Sequence, residues 1–187
     1  MHDLTPLTAL GASKPRSDTI GPVTISEAPD VALASVTARL GQEAACQDAL
    51  RALLGIPAPD IAAYASGPQL SAFWIGPDSW MIMAPYDTHP GLANRLTSVC
   101  KDTASVTDQT GAWARFDLTG PDLPRLMERL CNLDLAHMPP GRARRSVIDH
   151  LGCYVIKHQD GILLFAPRSA AQSLHHALLT AAQAALR

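Results

Sequence analysis

The chain has 187 residues, with 15 basic and 17 acidic side chains and a formal net charge of −2. Hydrophobic residues make up 47% of the chain and charged residues only 17%, against about 25% charged in an average globular protein. The charge balance argues against a general binder of nucleic acid or membrane surfaces. The low charge reflects either an alanine-rich sequence with small surface residues or a sizeable surface buried against a partner.

The cysteines and the N-terminus bear on the cellular compartment. The four cysteines are far apart in sequence, so we expect buried thiols in a reducing compartment rather than a disulfide or metal site. The first residues lack the basic region of a signal peptide, and Pro6 interrupts their apolar stretch. No apolar run approaches the ~20 residues that a membrane span needs. We therefore expect a cytoplasmic protein without a membrane partner.

Residues 1–30 are predicted to form an extended N-terminal arm, because four prolines and two glycines prevent a long helix. Leu4, Leu7 and Leu10 recur every three residues within it. Such an arm either packs on its own domain or reaches onto a neighbouring subunit.

The first half of the remaining chain alternates strands and helices. A strand is predicted over residues 31–40, and a helix over 43–54, which Gly55 and Pro57 end. Two strands over 70–75 and 80–84 are joined by a turn at Gly76–Ser79 and form a hairpin. A second helix, with Leu92, Leu96 and Cys100 on its apolar face, follows Pro90.

The second half repeats this order. Residues 112–119 alternate apolar and polar side chains, as a strand with one buried face does, and a helix follows over 123–130. Strands are predicted over 146–150, 154–158 and 162–166, with turns at Leu151–Gly152 and Asp160–Gly161. The last helix opens on a candidate capping box, Ser169 to Gln172, and places His175 and His176 on an exposed face.

The two halves correspond most clearly where each final strand ends, at Ala84-Pro85 and Ala166-Pro167. We therefore predict an α+β fold of two intertwined β-α-β-β-α-type repeats with mostly antiparallel sheets. Residues 31–187 form a single duplicated domain, with repeats at about 31–102 and 103–187. The stretch Ser105–Gly120 is the seam between them.

No motif for a nucleotide, a metal or a nucleophilic enzyme is present, so we assign no catalytic, cofactor-binding or metal-binding residue. The most distinctive polar cluster is Arg142, Arg144 and Arg145, in a loop after Pro139-Pro140-Gly141. It is either an anion clamp, for a carboxylate, a phosphate or a polyglutamate tail, or a solvated or salt-bridging rim at a subunit interface. Three roles are open for Trp74, Trp80 and Trp113: they line a pocket, they anchor an interface, or they pack in the core.

Several stretches together suggest a family. They are LTPLTALG, IGPDSWMIMAP, SVTDQTGAWARFDLTG, MERLCNLDL and APRSAAQSLHHALL, which are spread over most of the chain. In their order and spacing, the sequence resembles the gamma subunit of heterotetrameric sarcosine oxidase.

The resemblance implies a small non-catalytic subunit, with a fold similar to the folate-binding domain of the glycine-cleavage aminomethyltransferase. The complex is a flavoenzyme that demethylates sarcosine to glycine and reduces oxygen to hydrogen peroxide. The one-carbon unit passes to tetrahydrofolate or leaves as formaldehyde. FAD, FMN, NAD and tetrahydrofolate would belong to the alpha and beta subunits and zinc to delta, so the implied partners are alpha, beta and delta.

Two other functions stay open. One is a stand-alone folate-binding or one-carbon-transfer protein, in which the arginine cluster grips the glutamate tail. The other is a regulatory ligand-binding α+β module. We further expect that the isolated chain forms a homodimer through the surface that its partners leave bare.

Overall fold

The structure, a computed structural model, describes residues 5–186. Its strands are β1 (Ser17–Ile20), β2 (Val23–Glu27), β3 (Val31–Ala38), β4 (Tyr64–Ser66), β5 (Ser71–Gly76), β6 (Ser79–Pro85), β7 (Ala104–Asp108), β8 (Trp113–Thr119), β9 (Arg142–Ile148), β10 (Leu151–His158) and β11 (Gly161–Pro167). Its α-helices are α1 (Glu43–Leu54), α2 (Leu92–Cys100), α3 (Leu123–Met127) and α4 (Ala171–Ala185). Within residues 5–186, no helix combines the length and apolar character that a membrane crossing requires.

The chain divides into two compact units. The central unit comprises residues 30–111 and 141–143, and the terminal unit comprises residues 5–29, 112–140 and 144–186. The boundary at 111/112 falls inside the stretch predicted as the seam. β7, before this boundary, joins the sheet of the central unit, whereas β8, after it, joins the sheet of the terminal unit.

The central unit is built on a five-stranded antiparallel sheet of order β4-β5-β6-β3-β7. α1 and α2 contribute buried apolar residues to one core with this sheet, because their apolar positions recur at helical spacing. The largest members of this core are Leu50, Leu54, Leu70, Trp80, Ile82, Leu92 and Leu96.

The terminal unit is built on a six-stranded sheet of order β1-β2-β8-β11-β10-β9. α3 and α4 share a core with it, and the partly buried Leu10 of the N-terminal segment packs against that core. The largest members of this core are Ile25, Phe116, Leu118, Leu123, Leu126, Met127, Leu135, Ile148, Ile162, Leu164, Leu174 and Leu178.

The two sheets pair equivalent strands in the same register. Val31 pairs with Pro85 between β3 and β6, and Trp113 pairs with Pro167 between β8 and β11. Both positions are offset by 82 residues (113 − 31 and 167 − 85). In the central unit, β6, the second strand of the β5–β6 hairpin, lies beside β3. In the terminal unit, β11, the second strand of the β10–β11 hairpin, lies beside β8 in the same way.

Most predicted elements are observed, and α1 has the predicted bounds. α3 ends at Met127 instead of residue 130. The hydrogen bonds that follow, from the N–H groups of Arg129 and Leu130 to the carbonyls of Leu126 and Met127, span three residues and belong to tighter turns. Apolar spacing does not distinguish such turns from a continuing α-helix.

Further predicted boundaries are wrong, among them the strand predicted over 146–150, which is β9 over Arg142–Ile148. The turn before β10 lies at Asp149 and His150, which have φ values of +47° and +69°, and not at Leu151–Gly152. Asp and His enter the left-handed region more readily than most residues, so no glycine is needed there. The capping box is also absent: a 3₁₀ turn at Arg168–Ala170 precedes α4, and the side chain of the N-cap residue Ala170 makes no capping hydrogen bond.

The predicted N-terminal arm begins among residues 1–4, which lie outside the described residues, as does Leu4. Within the described part of the arm, β1 and β2 form a hairpin, and β2 pairs with β8. Leu7 is 55% exposed.

Candidate functional site

The arginine cluster lies on a strand rather than in a loop. Gly141, with φ of +84°, leads directly into β9. Arg142 groups with the central unit, where it forms an isolated antiparallel bridge with Ala63. Arg144 and Arg145 belong to the terminal unit.

β9 is an edge strand of the six-stranded sheet, so one side of its backbone faces no other strand of that sheet. Side chains alternate along a strand, and Arg144 therefore shares a face with the buried Ser146 and Ile148. Arg145 shares the other face with Val147, which is 61% exposed. The two arginines point to opposite sides of one sheet edge.

An aromatic platform supports Arg145. Its guanidinium carbon lies 5.7 Å from the centroid of the Tyr154 ring, within the range of a cation–π contact. Tyr154 is buried, and its ring centroid lies 5.2 Å from that of Trp113 at an interplanar angle of 56°. These contacts hold the guanidinium against β10.

The charges of these arginines are not neutralised locally. Within residues 5–186, neither Arg144 nor Arg145 forms an ion pair or a side-chain hydrogen bond. Their N–H groups are therefore available to an acidic partner group, since a guanidinium binds a carboxylate through two parallel hydrogen bonds. We take Arg144, Arg145 and the adjoining edge of β9 as the candidate functional site.

Sequence reasoning missed a polar cluster in the terminal unit, formed by the exposed Arg16, the partly buried Asp18 and the buried His175. Asp18 on β1 accepts hydrogen bonds from Arg16, at 2.8 Å from Nε and 3.1 Å from Nη2. His175 Nε2 lies 2.8 Å from the same carboxylate. The hydrogen bonds from Arg16 foremost, and that of His175, hold the pKa of Asp18 below its ordinary value.

His175 is buried, which contradicts the predicted exposed position. Its ring stacks on that of Phe116, with centroids 6.0 Å apart and an interplanar angle of 26°. The signal was present in the sequence, because position 175 falls on the helical spacing of Ala171, Leu178 and Ala182, which are also buried. The ring of His175 is buried and its Nε2 is hydrogen-bonded to Asp18, so this residue links α4 to β1 and is not accessible to a substrate.

A buried carboxylate, that of Glu27, holds the N-terminal segment. Glu27 is only 6% exposed, and it accepts hydrogen bonds from the backbone N–H groups of Leu10 at 2.9 Å and Arg16 at 3.3 Å. Arg168 Nη2 donates to the carbonyl of Leu7 at 2.8 Å. Of the two arrangements that the sequence left open, the described part of the arm therefore packs on its own unit.

Other polar and sulfur-containing side chains make structural contacts. Trp80 is buried, and its Nε1–H donates to the carbonyl of Pro59 at 2.8 Å. Asp117 accepts two hydrogen bonds from Arg115, at 2.6 and 2.8 Å. Burial raises the pKa of the Cys153 thiol to about 11, as expected of a buried structural cysteine. Among residues 5–186, no group of three or more His, Cys, Asp or Glu could hold a metal ion.

No protein-family model matches the chain, and no curated protein matches it. Among solved structures, the chain is similar to heterotetrameric sarcosine oxidase from Corynebacterium sp. U-96, determined with pyrrole 2-carboxylate. The TM-score is 0.77 at 18% identity, and the match covers 91% of this chain and 88% of that one.

The chain is also similar to the glycine cleavage system aminomethyltransferase T from Bartonella henselae, with a TM-score of 0.65 at 14% identity. That match covers 88% of this chain and 50% of the transferase, so this chain spans half the transferase's length. The likeness confirms the predicted α+β fold with two antiparallel sheets, similar to that of the aminomethyltransferase.

Proposed function

We propose that this chain is the small gamma-type subunit of a heterotetrameric sarcosine oxidase and serves the complex as a structural, non-catalytic component. The complex would demethylate sarcosine oxidatively, with the flavins, NAD, folate and zinc held by its alpha, beta and delta subunits. The observation that carries the proposal is the coverage of the structural match. The likeness spans 91% of this chain and 88% of a chain of the oxidase, so the two have nearly the same extent.

Coverage also separates this proposal from an aminomethyltransferase role. The same fold makes up only half of the transferase chain. The match to the oxidase chain extends over nearly all of that chain, whereas half of the transferase has no counterpart in the match.

The edge of β9 is our candidate for a subunit contact. It combines the exposed Val147 with the unneutralised Arg144 and Arg145, beyond the bridge that Arg142 forms with Ala63 at the start of this edge strand. A partner segment with acidic side chains would satisfy both the backbone of the edge and the two guanidinium groups.

Co-expression with candidate alpha, beta and delta subunits tests the proposal. A tag on this chain should retain a flavin-containing complex that oxidises sarcosine, detected by flavin absorbance and hydrogen peroxide release. If the other three subunits assemble an active complex from which this chain is absent, the proposal is wrong.

Paired variants test the contact. Arg144→Ala with Arg145→Ala should weaken retention of the partners and make it more sensitive to salt, because two charge-assisted contacts are lost. Arg51→Ala, on the exposed face of α1, is the matched control and should leave retention unchanged. Equal retention for both variants would exclude the β9 edge as the contact while leaving the subunit proposal standing.

A stand-alone folate-binding protein is the second candidate, and the shared fold of the aminomethyltransferase favours it. Calorimetry of the isolated chain with a polyglutamylated tetrahydrofolate distinguishes it. Binding that is lost in Arg142→Ala would support this candidate over the subunit proposal.

A further inference from the structure

The central unit contains a cavity that the subunit proposal does not use. It lies where the loop between α1 and β4 approaches the turn between β5 and β6, and it has a volume of about 250 Å³. This is slightly smaller than the ~300 Å³ at which pockets for drug-sized ligands begin. Its occupant would therefore be a small molecule.

Two indole side chains form part of the wall. Trp74 and Trp80 are directly paired across β5 and β6, so both project from the same face of the hairpin. The hydrogen bond from Trp80 to the carbonyl of Pro59 holds the loop against the hairpin. The cavity is thus formed by structured elements, and Trp74 is only half-buried beside it.

The charged residues that line the cavity are both carboxylates. Asp60 comes from the loop and Asp78 from the turn, and both are exposed. Pro59, Pro77 and the 72% exposed Ile61 supply apolar surface. Within the lining there is no arginine, lysine or histidine to neutralise the two acids.

This combination selects for one kind of ligand. The face of an indole attracts a cation through the ring quadrupole, and most strongly a cation with apolar substituents that is easily desolvated. Carboxylates at the rim add attraction for positive charge and repel anions. A neutral molecule of the same shape would gain only the apolar contacts.

We propose that this cavity binds a small alkylammonium ion, with the charged group against Trp74 and Trp80 and between Asp60 and Asp78. The site belongs to the central unit alone and does not depend on assembly with other subunits.

Nuclear magnetic resonance of the full chain tests the proposal, because the three tryptophans give three indole N–H signals. Tetramethylammonium chloride is the probe, tert-butanol is its neutral counterpart, and sodium chloride matches the ionic strength. The signals of Trp74 and Trp80 should shift saturably with the probe alone, whereas that of Trp113, in the terminal unit, should stay in place. Trp74→Phe and Trp113→Phe assign the signals.

Variants separate the contribution of the two carboxylates to binding from that of the indole ring of Trp74. Asp60→Asn with Asp78→Asn should raise the dissociation constant roughly tenfold, the sum of two modest exposed charge interactions. Trp74→Leu should weaken binding similarly while keeping an apolar wall. Asp48→Asn, at an exposed position of α1 outside the lining, is the control and should bind like the original chain.

The proposal is overturned if the probe causes no saturable shift, if tert-butanol shifts the same signals equally, or if the paired Asn variant binds as tightly as the Asp48→Asn control. A shift of the Trp113 signal alone would likewise exclude this cavity as the site.

Discussion

The central and terminal units pair their equivalent strands in the same register, but the side chains in their cores differ. Equivalent positions 82 residues apart carry similar side chains on the second helix of each repeat, Leu92 with Leu174 and Leu96 with Leu178, and all four are buried. The difference lies beside them, where Ala34 and Ala93 of the central unit correspond to Phe116 and His175 of the terminal unit.

This difference shows how one backbone plan accommodates two cores. The central unit has a 12-residue α1 with three buried residues, Cys46, Leu50 and Leu54. The terminal unit has only the 5-residue α3 at that point, and it adds β1, β2 and the Phe116–His175 stack to its fold. The imidazole that this stack buries requires a polar partner, which Asp18 supplies from β1.

The largest effect is expected from Phe116→Ala, which gives the terminal unit the side chain of its central counterpart, Ala34. Phe116 is fully buried, so the change leaves a cavity and removes the stacking partner of His175. We expect the free energy of unfolding to fall by about 3–5 kcal/mol. Urea denaturation measures this loss.

Leu40→Ala is its control, because Leu40 is 99% exposed and has little packing to lose. Its stability should stay within about 0.5 kcal/mol of the original. A Phe116→Ala protein as stable as Leu40→Ala would show that the stack is dispensable.

A smaller effect is expected at the first residue of β6 and of β11, which is Ser79 in the central unit and Gly161 in the terminal unit. Gly161 pairs with Thr119 and Ser79 with Thr37, again 82 residues apart. A β-carbon at 161 would collide with the carbonyl of Leu118, so Gly161→Ala should cost about 1–3 kcal/mol. Ser79→Ala loses only exposed hydrogen bonds and should cost less than about 1 kcal/mol. Equal losses in thermal unfolding would contradict this difference.

The smallest effect is a change in pH dependence. The folded pKa of Asp18 lies below its ordinary value, so its ionised form stabilises the fold above about pH 4. That contribution is lost as the pH falls through the folded pKa. In Asp18→Asn the urea midpoint should therefore be lower at pH 7 and decline less steeply on acidification.

Asp134→Asn is the comparison for this test. The pKa of Asp134 is also lowered, chiefly by a hydrogen bond to His137, but both side chains are largely exposed. Its pH profile should lie close to that of the original chain. If Asp18→Asn gives the same profile, the contact of Asp18 with Arg16 and His175 does not couple stability to pH.

The sequence predicted elements better than it predicted their partners. The alternation in β8 is visible because one face is buried, and α1 is bounded by clear end signals at Gly55 and Pro57. Nothing in the local pattern shows that β2 lies beside β8, because pairing depends on contacts distant in sequence. The candidate site was predicted only in part, because its geometry also depends on contacts distant in sequence. Residue type marked Arg144 and Arg145, but their position on a sheet edge and the support from Tyr154 follow from the assembled sheet.

The place of β2 has a consequence for the order of folding. One neighbour of β3 is β7, which comes after the first repeat in the chain. The corresponding neighbour of β8 is β2, which comes before the first repeat. Thr24 and its partner Thr119 are 95 residues apart (119 − 24), and the chain between them includes nearly all of the central unit. During synthesis from the N-terminus, the edge of β2 that faces β8 therefore stays unpaired until the ribosome has released β8, and only β1 is available to pair with β2, while residues 30–111 can already form their sheet. The terminal unit, which contains β1, the first strand to be synthesised, is therefore the last unit to complete its sheet.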